Sequence, residues 1–350
     1  MIHTARHPDW LQLWEKAANP PPFCHPAYAA LFENPHTMAR AAIVPVTGGH
    51  ILYPFLLRKL APETNLPVAM GEMYDIITPY GYGGPMFAPN DNNRNPSEEE
   101  KAAGFRAFYD AFAQWARNSN VVSEFVRFSL FSEARPHYYG LTERNNENIV
   151  VRLNVPAEAL WAGFKHKVRK NVKTAMEHGV RISEDPRGER LDDFLNVYYH
   201  TMKRRGAPPS YHFPKTFFME LIRNMPGQAV FFHAICAGRV VASELVLHAS
   251  GRAYSFLGGT LKQDFHRRPS DLVKHHIILW AREQGQRDFI IGGGHRPHDG
   301  IFAFKKSFAP NGILPFYVGK HVFNKNAYRE LIRLSGKDNA GGFFPAYRTP

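Results

Sequence analysis

The sequence predicts two α/β domains of similar fold in tandem, and three observations carry that expectation. The chain has 350 residues, 44% of them hydrophobic and 21% charged, enough to bury one large core or two moderate ones. An order of hairpin, loop, capped helix and strand occurs twice along it. Between the two occurrences lies an amphipathic helical segment whose second face is strongly basic. No residue-level identity links the halves, so what repeats is architecture.

In the first half, residues 41–46 and 51–57 alternate around Gly48-Gly49, the signal of an antiparallel hairpin. A Gly/Pro/Tyr-rich passage follows over residues 74–85. Ser97 and Glu100 then stand at capping-box spacing, opening a helix expected to run to about Arg117. Residues 121–131 are β-branched and aromatic and read as a strand. In the second half, residues 230–236, 240–248 and 253–257 form a meander with turns at Gly238 and Ser250-Gly251. Pro269 sits where a helix begins, Leu272, His276, Leu279 and Trp280 mark its apolar stripe, Gly285 stops it, and residues 289–291 are the next strand.

Residues 156–179 between the halves read as one helix, with Leu160, Phe164, Val168 and Val172 recurring at i+4 and Ala175 and Met176 completing the apolar face. Lys165, Arg169 and Lys173 form a second stripe, with Lys167 and Lys170 on other faces and no acid between Glu158 and Glu177. Such a stripe is either a solvated face beside a core or a surface for phosphates. The whole chain carries 43 Lys plus Arg against 31 Asp plus Glu, a net charge of +12. That excess fits either a phosphate-bearing partner or a generally basic surface.

Several chemistries are excluded by inspection. No run of roughly 18 apolar residues is present and the first ten residues are too polar for a secretory leader, so the expectation is a cytoplasmic protein. Cys24 and Cys236, the only cysteines, cannot form a disulfide framework or a cysteine-built zinc site. There is no phosphate-binding G-x-x-x-x-G-K-[ST] loop, no H-E-x-x-H pair and no G-x-S-x-G elbow. His295, His298 and the pair His275-His276 lack an acidic or cysteine cluster, so no metal site is expected.

Three segments remain as candidates. Gly292-Gly293-Gly294 follows a strand directly, so bare backbone N–H groups emerge at a strand's carboxyl end, either to dock an anion or to make a turn at positive φ. Ile301, Phe304 and Phe308 share a helical face, with Lys305 and Lys306 among them. Partial desolvation there would strengthen Lys305's pull on developing negative charge, while the bland alternative is a snorkelling lysine. Tyr74-Asp75 and the run Thr78-Pro79-Tyr80-Gly81-Tyr82-Gly83-Gly84-Pro85 make a rigid aromatic loop, able to stack on a flat group or simply pinned by tyrosine packing.

Taken in order, these segments resemble the Fem-type (FemABX) aminoacyltransferases, which are built as duplicated GCN5-related N-acetyltransferase (GNAT) folds. Residues 165–179 are similar to the family's basic helix, R-x-x-I-[RK]-x-A before Gly-Val. The T-P-Y-G-Y-G-G-P run, the strand into glycines, Phe304-Lys305 with Phe308, Tyr211-His212-Phe213 and the terminal Phe343-Phe344-Pro345-Ala346-Tyr347-Arg348 complete the likeness.

The resemblance implies an α/β fold of two tandem GNAT-like domains with a cleft between them. The first covers residues 1–148, completed by residues 315–350, and the second residues 149–314. It implies an aminoacyl-tRNA donor, a primary amine acceptor on a peptidoglycan precursor, peptide or natural-product intermediate, amide formation and no cofactor. By position, Lys305 matches the lysine that stabilises the reacting carbonyl, and Arg169 lies in the helix directed at phosphates. Lys165, Lys173, Tyr80, Tyr82, Tyr211, Gly293, Gly294, His295 and Phe304 are expected to bind substrate. The proton acceptor is open between Asp75, taken as the catalytic partner of Lys305, His295 and the ester's departing hydroxyl. Residues 186–226 leave no room for the coiled-coil arm of some members, so the compact, monomeric branch is the nearer match.

Two other functions compete. An acyl-CoA N-acyltransferase needs a pyrophosphate cradle, [RQ]-x-x-G-x-[GA], but the corresponding connection, residues 263–271, reads QDFHRRPSD without a glycine. A non-catalytic nucleic-acid binder rests on charge alone, with no recognised reader motif.

Overall fold

The computed structural model describes residues 1–60, 72–90, 96–294, 299–336 and 342–349. Its strands are β1 (Ile2–Thr4), β2 (Thr37–Val46), β3 (Gly49–Lys59), β4 (Tyr74–Ile77), β5 (Met86–Pro89), β6 (Val121–Arg127), β7 (Leu141–Arg152), β8 (Arg181–Asp185), β9 (Ala229–Cys236), β10 (Arg239–Ala249), β11 (Arg252–Thr260), β12 (Asp288–Gly292) and β13 (Ile313–Val322). The chain divides into two compact units, Met1–Asn145 with Phe316–Pro350, and Asn146–Pro315.

In the first unit β2 and β3 pair antiparallel from Thr37↔Arg58 to Val46↔Gly49, turning at Gly48 with φ of 76°. The strand order is β1-β2-β3-β4-β6-β13, with β4 and β6 parallel and β5 added to β3. A Cβ on Gly49 would lie 2.2 Å from the Ala88 carbonyl oxygen, so only glycine lets β5 approach there. The Glu98–Asn118 helix opens on the expected capping box: Ser97 Oγ accepts from the Glu100 N–H, and the Glu100 carboxylate accepts from the Ser97 N–H. Such a cap is worth about 1 kcal/mol. Phe105, Phe108, Tyr109, Phe112 and Ala116 recur at helical spacing and bury against the sheet.

The second unit repeats these pairings in the order β7-β12-β11-β10-β9-β8, with β11 and β12 parallel and joined through the Pro269–Glu283 helix. Each unit is thus a mixed sheet flanked by helices. In each, an antiparallel meander meets a parallel strand beyond a crossover helix, and a last antiparallel strand follows. This is the twofold architecture expected from the sequence. The strand expected over residues 121–131 ends earlier, at Arg127.

Two local expectations need correction. The basic segment is two helices, Ala157–Gly163 and His166–Glu177, because Phe164 and Lys165 adopt extended backbone (ψ of 146° and 147°) that turns the Phe164 ring into the core. Val168, Val172 and Ala175 are buried as the periodicity requires, but Met176 is exposed. On the Pro269–Glu283 helix, Leu272 and Trp280 are buried with Val273, Ile277, Ile278 and Ala281, whereas Leu279 is partly exposed and His276 faces Glu184 at 2.8 Å. Among the described residues, no helix is long and apolar enough to cross a membrane.

Candidate active site

Within the second unit, β11 and β12 pair only over Arg252–Tyr254 and Asp288–Ile290, after which β11 continues to Thr260 without that neighbour. A cavity of about 510 Å³ opens in this unit, lined by Ser255, Gly258 and Thr260 of β11, Glu244 of β10, Asp271 and Lys274 of the crossover helix, and Phe304 and Lys305. A gap where parallel strands part is a usual ligand position in α/β sheets.

The Gly300–Lys306 helix presents Lys305 to this cavity. Asp299 caps it, accepting from the Phe302 N–H at 2.8 Å. Phe304 and Phe308 pack edge to face at 5.3 Å, the aromatic surface expected beside the lysine. Lys305 Nζ donates to the Gly293 carbonyl at 2.7 Å. Burial, reinforced by the Lys274 ammonium, pushes Lys305 down to about 8, while Glu244 and Asp299 pull the other way.

The glycine run contributes differently from the expectation. Gly292 does take positive φ, at 83°, but what Gly293 aims at Lys305 is a carbonyl rather than an N–H. Gly294 likewise accepts, from Asn146 Nδ2 at 3.3 Å. A Cβ on Gly293 would stand 2.5 Å from the Glu147 carbonyl, so glycine is required for close approach to β7. His295 lies outside the described residues.

The cavity also holds charged groups not singled out in the sequence. Lys274 is 4% exposed, and its Nζ lies 2.5 Å from Glu244 Oε1, 3.0 Å from Ser255 Oγ and 5.4 Å from the Phe289 ring centroid. Asp271 sits in the first turn of the crossover helix, with its Oδ1 accepting from Asn171 Nδ2 at 3.2 Å. Burial raises Asp271 to about 6 against the lowering effects of Asn171, Arg268 and Lys167. The only sequence signal was charge on an otherwise apolar helix face, Asp271 and Lys274 beside Leu272. Partners on other strands are invisible to helical periodicity. At the cavity wall, Arg204 Nη1 donates to the Thr260 carbonyl at 2.9 Å with its guanidinium 5.0 Å from the Phe265 ring, and Arg205 and Arg268 add positive charge.

The remaining expected residues are placed elsewhere. Arg169 Nη1 donates to the carbonyls of Ala162, at 3.0 Å, and Phe164, so the guanidinium closes the end of the Ala157–Gly163 helix. Lys165 and Lys173 are exposed, and none of the three lines the cavity. Arg169→Ala is therefore expected to lower stability by about 1 kcal/mol in denaturant unfolding, the net worth of hydrogen bonds to exposed and part-buried carbonyls. Lys173→Ala, at an exposed position, should leave the unfolding midpoint in place. An unchanged midpoint for Arg169→Ala would remove the capping role. Tyr211 closes the Pro209–Tyr211 turn and its carbonyl accepts from Tyr198 Oη.

Asp75, Tyr80 and Tyr82 belong to the first unit. Asp75 is fully buried, and both its oxygens are held by guanidinium groups: Arg58 Nε and Nη2 at 2.8 and 3.1 Å, and Arg348 Nε and Nη2 at 2.5 and 3.2 Å. Tyr347 Oη adds a contact at 3.3 Å. A carboxylate so saturated and so enclosed cannot reach an attacking amine, which overturns its expected role as general base. Tyr28 Oη donates to the Tyr80 carbonyl at 2.6 Å, and the Tyr82 ring packs on Phe23 at 5.7 Å and Phe316 at 5.6 Å. Gly81, at φ of 123°, brings the backbone against Phe23, where a Cβ would lie 2.4 Å from the ring. The glycine-tyrosine run is thus fixed by aromatic packing.

Residues 162–306, which contain every group lining the cavity, match the family described as acetyltransferase (GNAT) domain. No curated protein matches the chain in sequence. Among solved structures, FemX aligns with a TM-score of 0.68 at 13% identity, over 94% of this chain and 99% of its own. L-PGS from Bacillus licheniformis aligns at 0.54 and 14% identity, over 95% and 98%. A conserved protein of unknown function from Bacteroides thetaiotaomicron aligns at 0.55 and 10% identity, over 89% and 95%. The chain therefore has the FemX-type fold of two tandem GNAT-like units, with the acetyltransferase-domain match confined to the second.

Proposed function

We propose that this protein is an acyltransferase that moves an amino acid from aminoacyl-tRNA to a primary amine, forming an amide bond, as a monomer in the cytoplasm. The observation that carries the reading is Lys305, half-buried in the cavity and tethered to the Gly293 carbonyl at 2.7 Å. An aminoacyl ester is already activated, so a positioned amine and a cation beside the tetrahedral oxyanion account for the chemistry. Arg204, Arg205 and Arg268 supply positive charge for donor phosphates at the same cavity. The aminoacyl donor is supported by the Fem-type motifs and the FemX-like fold, and the acceptor class is a cell-wall precursor, a peptide or a natural-product intermediate.

The acetyltransferase-domain match favours a second reading, an acyl-CoA donor. Against it stands the connection before the crossover helix, where Arg268 takes φ of 54° and the Asp271 carboxylate occupies the first turn. Negative charge there opposes a pyrophosphate. The test incubates the protein with total tRNA charged with labelled amino acids and a pool of primary amines, beside a parallel reaction with labelled acetyl-CoA. Label moving from tRNA into amide is the expected result. Label moving only from the thioester would replace the donor.

A further inference from the structure

The proposed reaction needs a proton acceptor, because an amine at neutral pH arrives as an ammonium, and the exclusion of Asp75 leaves that role open. We propose that Asp271 is the general base, receiving the proton of the attacking ammonium inside the cavity that Lys305 also lines. The assignment rests on the aminoacyl-transfer reading above and goes beyond it by giving the amine a docking point.

Three features converge on this carboxyl. It lines the cavity with Lys305 and Lys274 and is 6% exposed, so it is shielded from bulk solvent. Its Oδ1 is oriented by Asn171 from the neighbouring His166–Glu177 helix at 3.2 Å. The other acid on the cavity wall, Glu244, is already committed to the Lys274 ammonium at 2.5 Å. The charged groups around Asp271 are Arg268 at the start of its own helix and Lys274 one turn along it, Lys167 on the helix packed against it, and Lys305 and Glu244 elsewhere on the cavity wall. Burial outweighs the cations and holds the carboxyl near 6, so it is ionised at neutral pH yet basic enough to bind a proton.

The ammonium gives one proton to Asp271, and its freed lone pair forms the C–N bond while the carbonyl π pair moves onto oxygen beside Lys305. Collapse breaks the ester C–O bond, and the departing ribose oxygen takes a second proton from nitrogen. Asp271 then releases its proton to water.

The test compares two nucleophiles on charged total tRNA with wild type and Asp271→Asn: glycinamide, which must lose a proton, and hydroxylamine, already neutral near pH 7. With glycinamide the variant should lose about 10²-fold or more in initial rate and lose the rise in rate through pH 6. With hydroxylamine the loss should be at least about ten times smaller, which also shows that the variant folds. Equal losses with both nucleophiles would make Asp271 a structural residue and leave the transferase reading standing. Wild type that accelerates only the hydroxylamine reaction would likewise overturn the base, since a carboxylate in the cavity serves a small ammonium. Wild type that accelerates neither removes the aminoacyl-transfer reading, and the base with it.

Discussion

Lys305→Ala is expected to lower kcat by about 10²–10³-fold while leaving donor binding nearly intact, the loss seen when one preorganised oxyanion donor is removed. The reason is differential: the ammonium meets little charge on the ground-state ester and a full oxyanion in the tetrahedral intermediate. Its surroundings strengthen the effect. The Gly293 carbonyl fixes Nζ at 2.7 Å, so little reorganisation accompanies the reaction.

The pH dependence has a definite sign. Burial and Lys274 depress Lys305 to about 8, and only the protonated form stabilises negative charge, so the rate should fall as pH rises through 8. Combined with an Asp271 that must be ionised above about 6, the profile is a bell. Lys305→Arg keeps its charge at high pH and should abolish the falling limb, but it restores activity only in part because a planar fork places its donors differently. A raised KM at constant kcat for Lys305→Ala would make the lysine a binding contact. Wild-type turnover would remove it from the reaction.

Asp75→Asn is expected to destabilise the first unit by about 3–5 kcal/mol, the range for breaking a buried ion pair by removing one partner. Arg58 and Arg348 are then left facing one another with no counter-charge, both largely shielded from water. Since whole domains are stable by only about 5–15 kcal/mol, the change should be plain in the urea midpoint. It should also loosen the end of the chain, because Asp75 binds Tyr347 and Arg348, residues of the terminal Ala346–Arg348 turn. The variant that remains folded should keep the kcat of wild type. A loss below about 1 kcal/mol would show that water already screens the cluster.

What could be read in the residues themselves was everything governed by short range. The Gly48 turn between β2 and β3, the Ser97/Glu100 capping box, the Pro269 start and the meander of β9 to β11 each follow from dihedral preference and period-2 or period-3.6 burial within a few residues. The same signals carried the twofold architecture, and the aromatic setting of Lys305 was visible in Phe304 and Phe308. Helical periodicity misplaced the 156–179 segment because two residues of extended backbone, Phe164 and Lys165, break the helix without breaking its apolar spacing.

The tertiary structure alone decided which charges are spent on the fold and which face a cavity. Asp75 and Arg348 meet across 273 residues, Lys274 and Glu244 across 30, and Arg169 bonds to carbonyls of the preceding helix rather than standing free. The physical reason is that a side chain's role depends on its desolvation and its partners, and both are set by strands and helices distant in the chain. Composition therefore announced an excess of cations, while packing sorted them into helix cap, buried bridge and the lysines and arginines that line the cavity.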